Sequence, residues 1–232
     1  MRYLTISWDD GFQNSSLKTA EIFEKFGLRT EFNIIATANL PDNDLPANMH
    51  PDACWGAAYG DFALWNELQK RGHVIQPHGF RHANKSELPF DEARSLILRC
   101  LDVFSHELTR FEPAQTIFAF PYNDSTPELE AWLPDVVRGF RTKGPAINTI
   151  PTPQTVKLTT GGWEDAEPWL DRCLEQLLGL EDGWLIYNAH GLDGEGWGPL
   201  RSEYLNQVLE KLVRLPDLKI LPAIDVLALT TS

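Results

Sequence analysis

Short β-rich apolar runs alternate with amphipathic helical stretches along the whole chain, and this alternation restricts the fold more than any other feature. Residues 3–8, Tyr-Leu-Thr-Ile-Ser-Trp, predict a buried strand. A helix follows, with Asn14 as its cap, Leu17, Ala20, Phe23 and Phe26 at near-helical spacing, and Gly27 as its stop. Residues 30–35 read as the next strand, 61–71 as a helix closed by Gly72, and 73–76 as a third strand. The clearest helix covers residues 90–108, where Ala93, Leu96, Ile97, Cys100, Leu101, Phe104 and Leu108 form one stripe. Further strands are expected at 116–120, 136–140, 185–188 and 218–221. Two more helices carry Trp169, Leu170, Cys173, Leu174 and Leu177, then Leu205, Val208, Leu209 and Leu212 behind a Ser202 cap. The Pro-rich stretch 149–153 reads as a linker. Such βα units predict a single domain over residues 1–232: an α/β fold, as a distorted or incomplete (β/α) barrel with about seven parallel strands.

A barrel of this kind gathers its chemistry on loops after the C-terminal strand ends. Asp9 and Asp10 follow the first predicted strand, His78 the third and His190 a late one. Residues 36–60 lack periodicity and form an unusually long loop. With Trp55 and Tyr59, that loop reads either as a substrate-facing rim or as a surface excursion.

Charge narrows the partners. The net charge is −13, which argues against nucleic acid and against an anionic membrane surface, and favours a neutral substrate or a cation. No apolar run approaches the roughly 18 residues of a membrane helix. The first residues lack a signal-peptide pattern, so the chain is expected to be cytoplasmic or a trimmed mature form. Cys54, Cys100 and Cys173 show no paired spacing and read as unbridged residues.

Asp9-Asp10-Gly11 places two carboxylates at the end of an apolar strand, where they repel unless a cation or proton lies between them. Adjacent residues on an extended chain point opposite ways, so a bend at Gly11 is needed to bring both into one cavity. One can then bind metal while the other stays free as a base. Alone, the tripeptide reads first as a turn. In His78-Gly-Phe-Arg-His82 the imidazoles are spaced to share one face of a helical turn and meet one ion. Alone, in a chain with six histidines, it also reads as a chance pair on a surface turn. Together, one Asp and two His form a facial set with open positions, suited to a divalent transition ion. Zinc is the default, with cobalt, manganese and nickel as the other candidates. His190 ends a strand before a Gly-rich segment and suits a general acid near neutral pH. His73 and His106 read as structural, and His50 lies in the long loop. Trp163, Trp169, Trp184 and Trp197 are either sugar-stacking or core residues.

Taken in order, these segments resemble the polysaccharide deacetylases of carbohydrate esterase family four, the NodB-homology family. The resemblance rests on Ser7-Trp-Asp-Asp-Gly11, His78-Gly-Phe-Arg-His82, Phe120-Pro-Tyr122 and Ile186-Tyr-Asn-Ala-His190. It implies Asp9 as general base, Asp10, His78 and His82 as metal ligands, and His190 as general acid. It implies a Tyr122 N–H that helps hold an oxyanion, and an acetylated carbohydrate as substrate. Pro121, Tyr122, Arg141 and Trp197 become the candidate substrate-contacting residues. Two departures stand out. The family's third motif usually carries an Arg that pairs with the base. Here residues 118–120 are Phe-Ala-Phe, so Arg141 is the candidate replacement. The Asp-Trp pair that usually orients the acid His has only weak counterparts in Trp163-Glu-Asp165 and Glu167-Pro-Trp169. Hydrolysis of a non-sugar amide or cyclic imide, and carbohydrate binding without turnover, remain the alternatives.

Overall fold

A computed structural model of the chain describes residues 1–40, 45–46, 49, 57–161 and 166–230. Its strands are β1 (Arg2–Asp10), β2 (Glu31–Ile34), β3 (Val74–Pro77), β4 (Ile117–Ala119), β5 (Gly139–Lys143), β6 (Ile147–Asn148), β7 (Lys157–Thr160), β8 (Gly183–Ala189) and β9 (Leu218–Ile220). Its α-helices are α1 (Gln13–Lys25), α2 (Phe62–Lys70), α3 (Phe90–Glu107), α4 (Pro127–Trp132), α5 (Ala166–Leu178), α6 (Ser202–Leu212) and α7 (Ala223–Ala228).

Seven parallel strands run in the order β1, β2, β3, β4, β5, β7, β8, and β8 pairs back to β1. The backbone ladder breaks twice, between β3 and β4 and between β7 and β8, so the barrel is incomplete. Side chains bridge both seams. Gln76 Oε1 accepts the Thr116 hydroxyl at 2.6 Å and the Ile117 N–H at 2.9 Å. Across the other seam the Thr160 hydroxyl donates to the Ile186 carbonyl at 2.9 Å. Gln76→Leu leaves a buried N–H without its acceptor and is expected to cost about 1–3 kcal/mol, read from urea unfolding.

Period-two alternation sets what faces inward. On β1, Leu4, Ile6 and Trp8 join the apolar layer under the helices. Thr5, Ser7 and Asp9 alternate with them and point into the barrel, in register with Ile186 and Asn188 of β8 for the first two. The lower interior is apolar. Ile117, Leu158, Trp184 and Ile186 pack there against Ala223, Val226 and Leu227 of α7, which plugs the N-terminal mouth. Trp184 satisfies its indole N–H on Thr5 Oγ1 at 3.0 Å, so this tryptophan is core and not a sugar platform.

Differences from the sequence reading have local causes. β5 begins three residues later than expected, because Val136 and Val137 still hydrogen-bond to Leu133 in a 3₁₀ turn. The short elements β6, β7, α4 and α7 have no counterpart among the predicted ones. Asn14 lies inside the first turn of α1, whose cap position is Phe12, and Arg201 rather than Ser202 occupies the cap position of α6 without a side-chain cap of its own. Tyr59 stacks on Phe12 and is buried, so it is not a rim residue. Cys100 and Cys173 are buried free thiols. Cys54, His50, Trp55 and Trp163-Glu-Asp165 lie outside the described residues. Among the described residues no helix is long and apolar enough to cross a membrane.

Candidate active site

β1 delivers Asp9 inward, and the chain then bends at Asp10 itself (φ 72°) and Gly11 (φ 86°). The bend therefore starts one residue earlier than the sequence implies, and it turns both carboxylates to one cavity. A Cβ on Gly11 would meet Ile34 and Trp65 at 3.0 Å, so glycine is needed for space as well as for φ.

Asp9 is 2% exposed, borders the cavity and accepts four hydrogen bonds. Arg141 Nη1 donates to Oδ1 at 2.9 Å, and Nη2 donates to Oδ2. Asn33 Nδ2 donates to Oδ1 at 2.7 Å, and Asn188 Nδ2 donates to Oδ2 at 2.9 Å. Burial alone would push this carboxyl up. The Arg141 guanidinium, aided by His78, overrides burial and holds it well below the usual carboxylate range. Arg141 also donates to Ser7 Oγ at 2.8 Å, and Ser7 in turn donates to the buried Glu31 at 2.7 Å.

Asp10 has the opposite environment. Burial and the neighbouring Asp9 charge push its carboxyl well above the usual range, with only partial relief from Arg141. Its Oδ1 is buried without a hydrogen-bond partner. Two imidazole nitrogens face that oxygen: His82 Nε2 at 3.3 Å and His78 Nε2 at 3.5 Å. One ligand atom from each of the three residues lies within 4.8 Å of the others. His78 Nδ1 lies 3.0 Å from the Ala119 carbonyl. A carbonyl only accepts, so Nδ1 carries the proton and Nε2 presents a lone pair. An orphaned carboxylate oxygen beside two imidazole nitrogens fits a divalent transition metal. The His pair is not on a helical turn. Gly79 (φ 88°) and His82 (φ 53°) fold the segment back as a tight loop.

His190 at the end of β8, Tyr122 after β4 and Trp197 line the same cavity of about 390 Å³ with Asp9, Asp10, His78 and His82. Tyr122 is 45% exposed at φ 59°, and its ring lies 4.7 Å from that of His82. Asp10, His82, Tyr122 and Asn123 are four of the five described non-glycine residues with positive φ, so left-handed backbone concentrates at this site. Pro121 is buried against Gly79 and does not line the cavity. Arg141 does not line it either and stands behind Asp9. Glu167 is held by Arg201 between α5 and α6. His73 binds Glu24 and the Thr30 N–H, and His106 is exposed on α3.

Sequence reasoning missed Ser7 as a hydrogen-bonding residue, Asn33 and Asn188, and the cavity residues Lys143 and Thr160. A signal for Ser7 and Asn33 was present. Thr5, Ser7 and Asp9 alternate with apolar residues, as do Glu31 and Asn33, which marks a polar inward face on strands with an apolar outer one.

Burial lowers the imidazoles: His78 to about 4, His82 well below its usual value and His190 below it as well. Their unfolded pKa is about 6.5, so between about pH 6.5 and 4 the unfolded chain binds protons that the folded chain refuses. Stability in the absence of metal should therefore fall as pH drops through that window. Asp10, raised in the fold, works the other way. Tm measured with a chelator at pH 7, 6 and 5 should fall, and Asp10→Asn should steepen the fall.

Neither a scan against family models nor a search of curated proteins gives a match to this sequence. Solved structures do match, at the level of fold. A family 4 acetyl xylan esterase from Clostridium thermocellum, solved with a cobalt ion, has TM-score 0.63 at 16% identity, covering 98% of this chain and 91% of that one. The peptidoglycan deacetylase PdaC from Bacillus subtilis has TM-score 0.56 at 12% identity, with 99% and 92% covered. Puue allantoinase has TM-score 0.67 at 11% identity, with 97% and 89% covered. The chain thus has the (β/α) barrel-like fold seen in carbohydrate esterase family 4.

Proposed function

We propose that the chain is a metal-dependent hydrolase that removes acetyl groups from an acetylated carbohydrate. The observation that carries this reading is a divided pair of carboxylates. Asp9 is locked ionised by Arg141, while its neighbour Asp10 has an orphaned oxygen between two imidazole nitrogens. Asp10, His78 and His82 would hold the ion, with zinc the default and cobalt, manganese or nickel alternatives. The chemistry such an ion would supply there is Lewis acidity, toward the attacking water and the acetyl carbonyl.

The chain's own residues carry the protons. Asp9 accepts one from the attacking water on a carboxylate oxygen. Its four hydrogen bonds hold it in one orientation, which favours a near-attack geometry. The Tyr122 N–H donates to the developing oxyanion. His190 faces the cavity and donates a proton to the departing sugar nitrogen or oxygen as the acyl bond breaks. Tyr122 and Trp197 offer aromatic faces to the sugar ring. Arg141 acts from behind on the base, taking the place of the third-motif arginine.

The test is acetate release by protein loaded with zinc, cobalt, manganese or nickel. The panel comprises N-acetylglucosamine oligomers, acetylated xylo-oligomers and a cyclic imide. Acetate from either sugar series supports the reading. Turnover of the imide alone moves the function to a non-sugar amide. Sugar binding without acetate release would leave a binding protein.

A further inference from the structure

Glu31 is a buried carboxylate that takes no part in the proton transfers of Asp9 and His190. Strand register explains its place. β1 and β2 run parallel, with Ser7 opposite Glu31 and Asp9 opposite Asn33. Ile6 and Trp8 of β1, and Phe32 and Ile34 of β2, lie in the apolar layer under the helices. The four polar residues alternate with them and therefore face the barrel interior. They form a polar grid in which no member is more than 3% exposed. Arg141 reaches this grid from β5.

Donors and acceptors in the grid leave little choice. Asn33 Nδ2 donates to Ser7 Oγ and to Asp9 Oδ1, both at 2.7 Å. Arg141 Nη1 donates to the same two oxygens, at 2.8 and 2.9 Å. Ser7 Oγ thus accepts twice, which uses both of its lone pairs. Its single proton goes to Glu31 Oε1 at 2.7 Å. Glu31 Oε2 accepts the Ala223 N–H at 2.6 Å. Burial pushes the Glu31 carboxyl up, and these two donors favour its anion. A guanidinium can only donate, whereas the Asn33 amide can turn over. A Ser7 proton aimed at Asn33 would call for the amide oxygen there. That oxygen would then face the Asp9 carboxylate, which also only accepts.

We propose that Glu31 is a positioning residue: by taking the Ser7 proton it keeps Asn33 and Arg141 as donors to Asp9 Oδ1 and so holds the base in one orientation. Glu31 is needed for its two acceptor oxygens, not for its shape. The inference rests on the reading of Asp9 as the base that takes a proton from the attacking water.

Glu31→Gln keeps the shape and exchanges one acceptor for a donor. The Ala223 N–H can only donate and claims the oxygen that is left, so the new amide NH2 faces Ser7 and drives its proton toward Asn33. For acetate release kcat should fall about thirtyfold, with KM and bound metal unchanged. Ser7→Ala removes the hydroxyl together with its proton, while Asn33 and Arg141 stay on Asp9, so kcat should fall only about threefold. Adding Glu31→Gln to Ser7→Ala should lower kcat no further, because no proton is left to misdirect. A merely structural role would make the two losses multiply. Multiplied losses, or wild-type turnover in Glu31→Gln, overturn the proposal. Neutron diffraction from wild-type crystals is a second readout that needs no variant to fold. A Ser7 deuteron aimed at Glu31 supports the proposal, and one aimed at Asn33 or Arg141 overturns it whatever the activity. Wild-type protein that releases acetate from no substrate rejects the deacetylase reading instead, while the deuteron positions still decide which groups donate around Asp9.

Discussion

Asp9→Asn should lower kcat/KM for acetate release by about a thousandfold while leaving the bound metal stoichiometric. The amide keeps the shape of the carboxylate but has no basic oxygen to take a proton. The candidate metal set is untouched, since it comes from Asp10, His78 and His82. Steady-state kinetics together with metal analysis check both halves. Wild-type turnover in this variant would remove Asp9 from the role of base, and loss of metal would make it a ligand. The amide must also place an N–H against Arg141 or Asn188, both of which donate, so a lower Tm should accompany the kinetic loss.

The second large effect belongs to Arg141. It is 2% exposed and makes its two carboxylate bonds inside the barrel. Arg141→Leu leaves the Asp9 charge buried with only amide donors, and breaking such a pair costs about 3–5 kcal/mol. Removing both charges should cost less than the two single changes combined, because the remaining partner is no longer stranded. Urea unfolding of Asp9→Asn, Arg141→Leu and the double variant measures the coupling. Additive costs would mean that the pair does not act as a unit. Activity of Arg141→Leu should also fall, because Asp9, the proposed base, loses the fork that orients it.

How much of the molecule is legible in its sequence depends on sequence separation. The strand–helix alternation is readable because each element carries its own periodicity, and α3 needs nothing beyond its stripe of apolar residues. Asp9, Asp10, His78, His82 and His190 are readable because their types and their places after predicted strands agree with one chemistry. The supporting shell is harder. Arg141 meets Asp9 across 132 residues and Asn188 meets it across 179. Glu195 caps α1 from 180 residues away by accepting the Ser15 N–H, so Asn14, the better local candidate, is the natural choice and the wrong one. β7 and α7 are short and take their stability from the barrel interior they fill, which no local propensity registers.

The plug at the bottom of the barrel has a consequence for the order of events during synthesis. Every candidate ligand and proton-transfer residue has been made once His190 leaves the ribosome. Glu31, one oxygen of which binds Ser7 beneath Arg141, finds a donor for the other in the Ala223 N–H at the start of α7, 2.6 Å away. Trp184, Ile186, Ile117 and Leu158 likewise wait for that helix to exclude water. A nascent chain halted before α7 therefore holds all the reactive groups above an open, wet mouth. The polar layer under Asp9 gains the Ala223 hydrogen bond only when α7 arrives, so competence waits on a segment that carries none of the reactive groups.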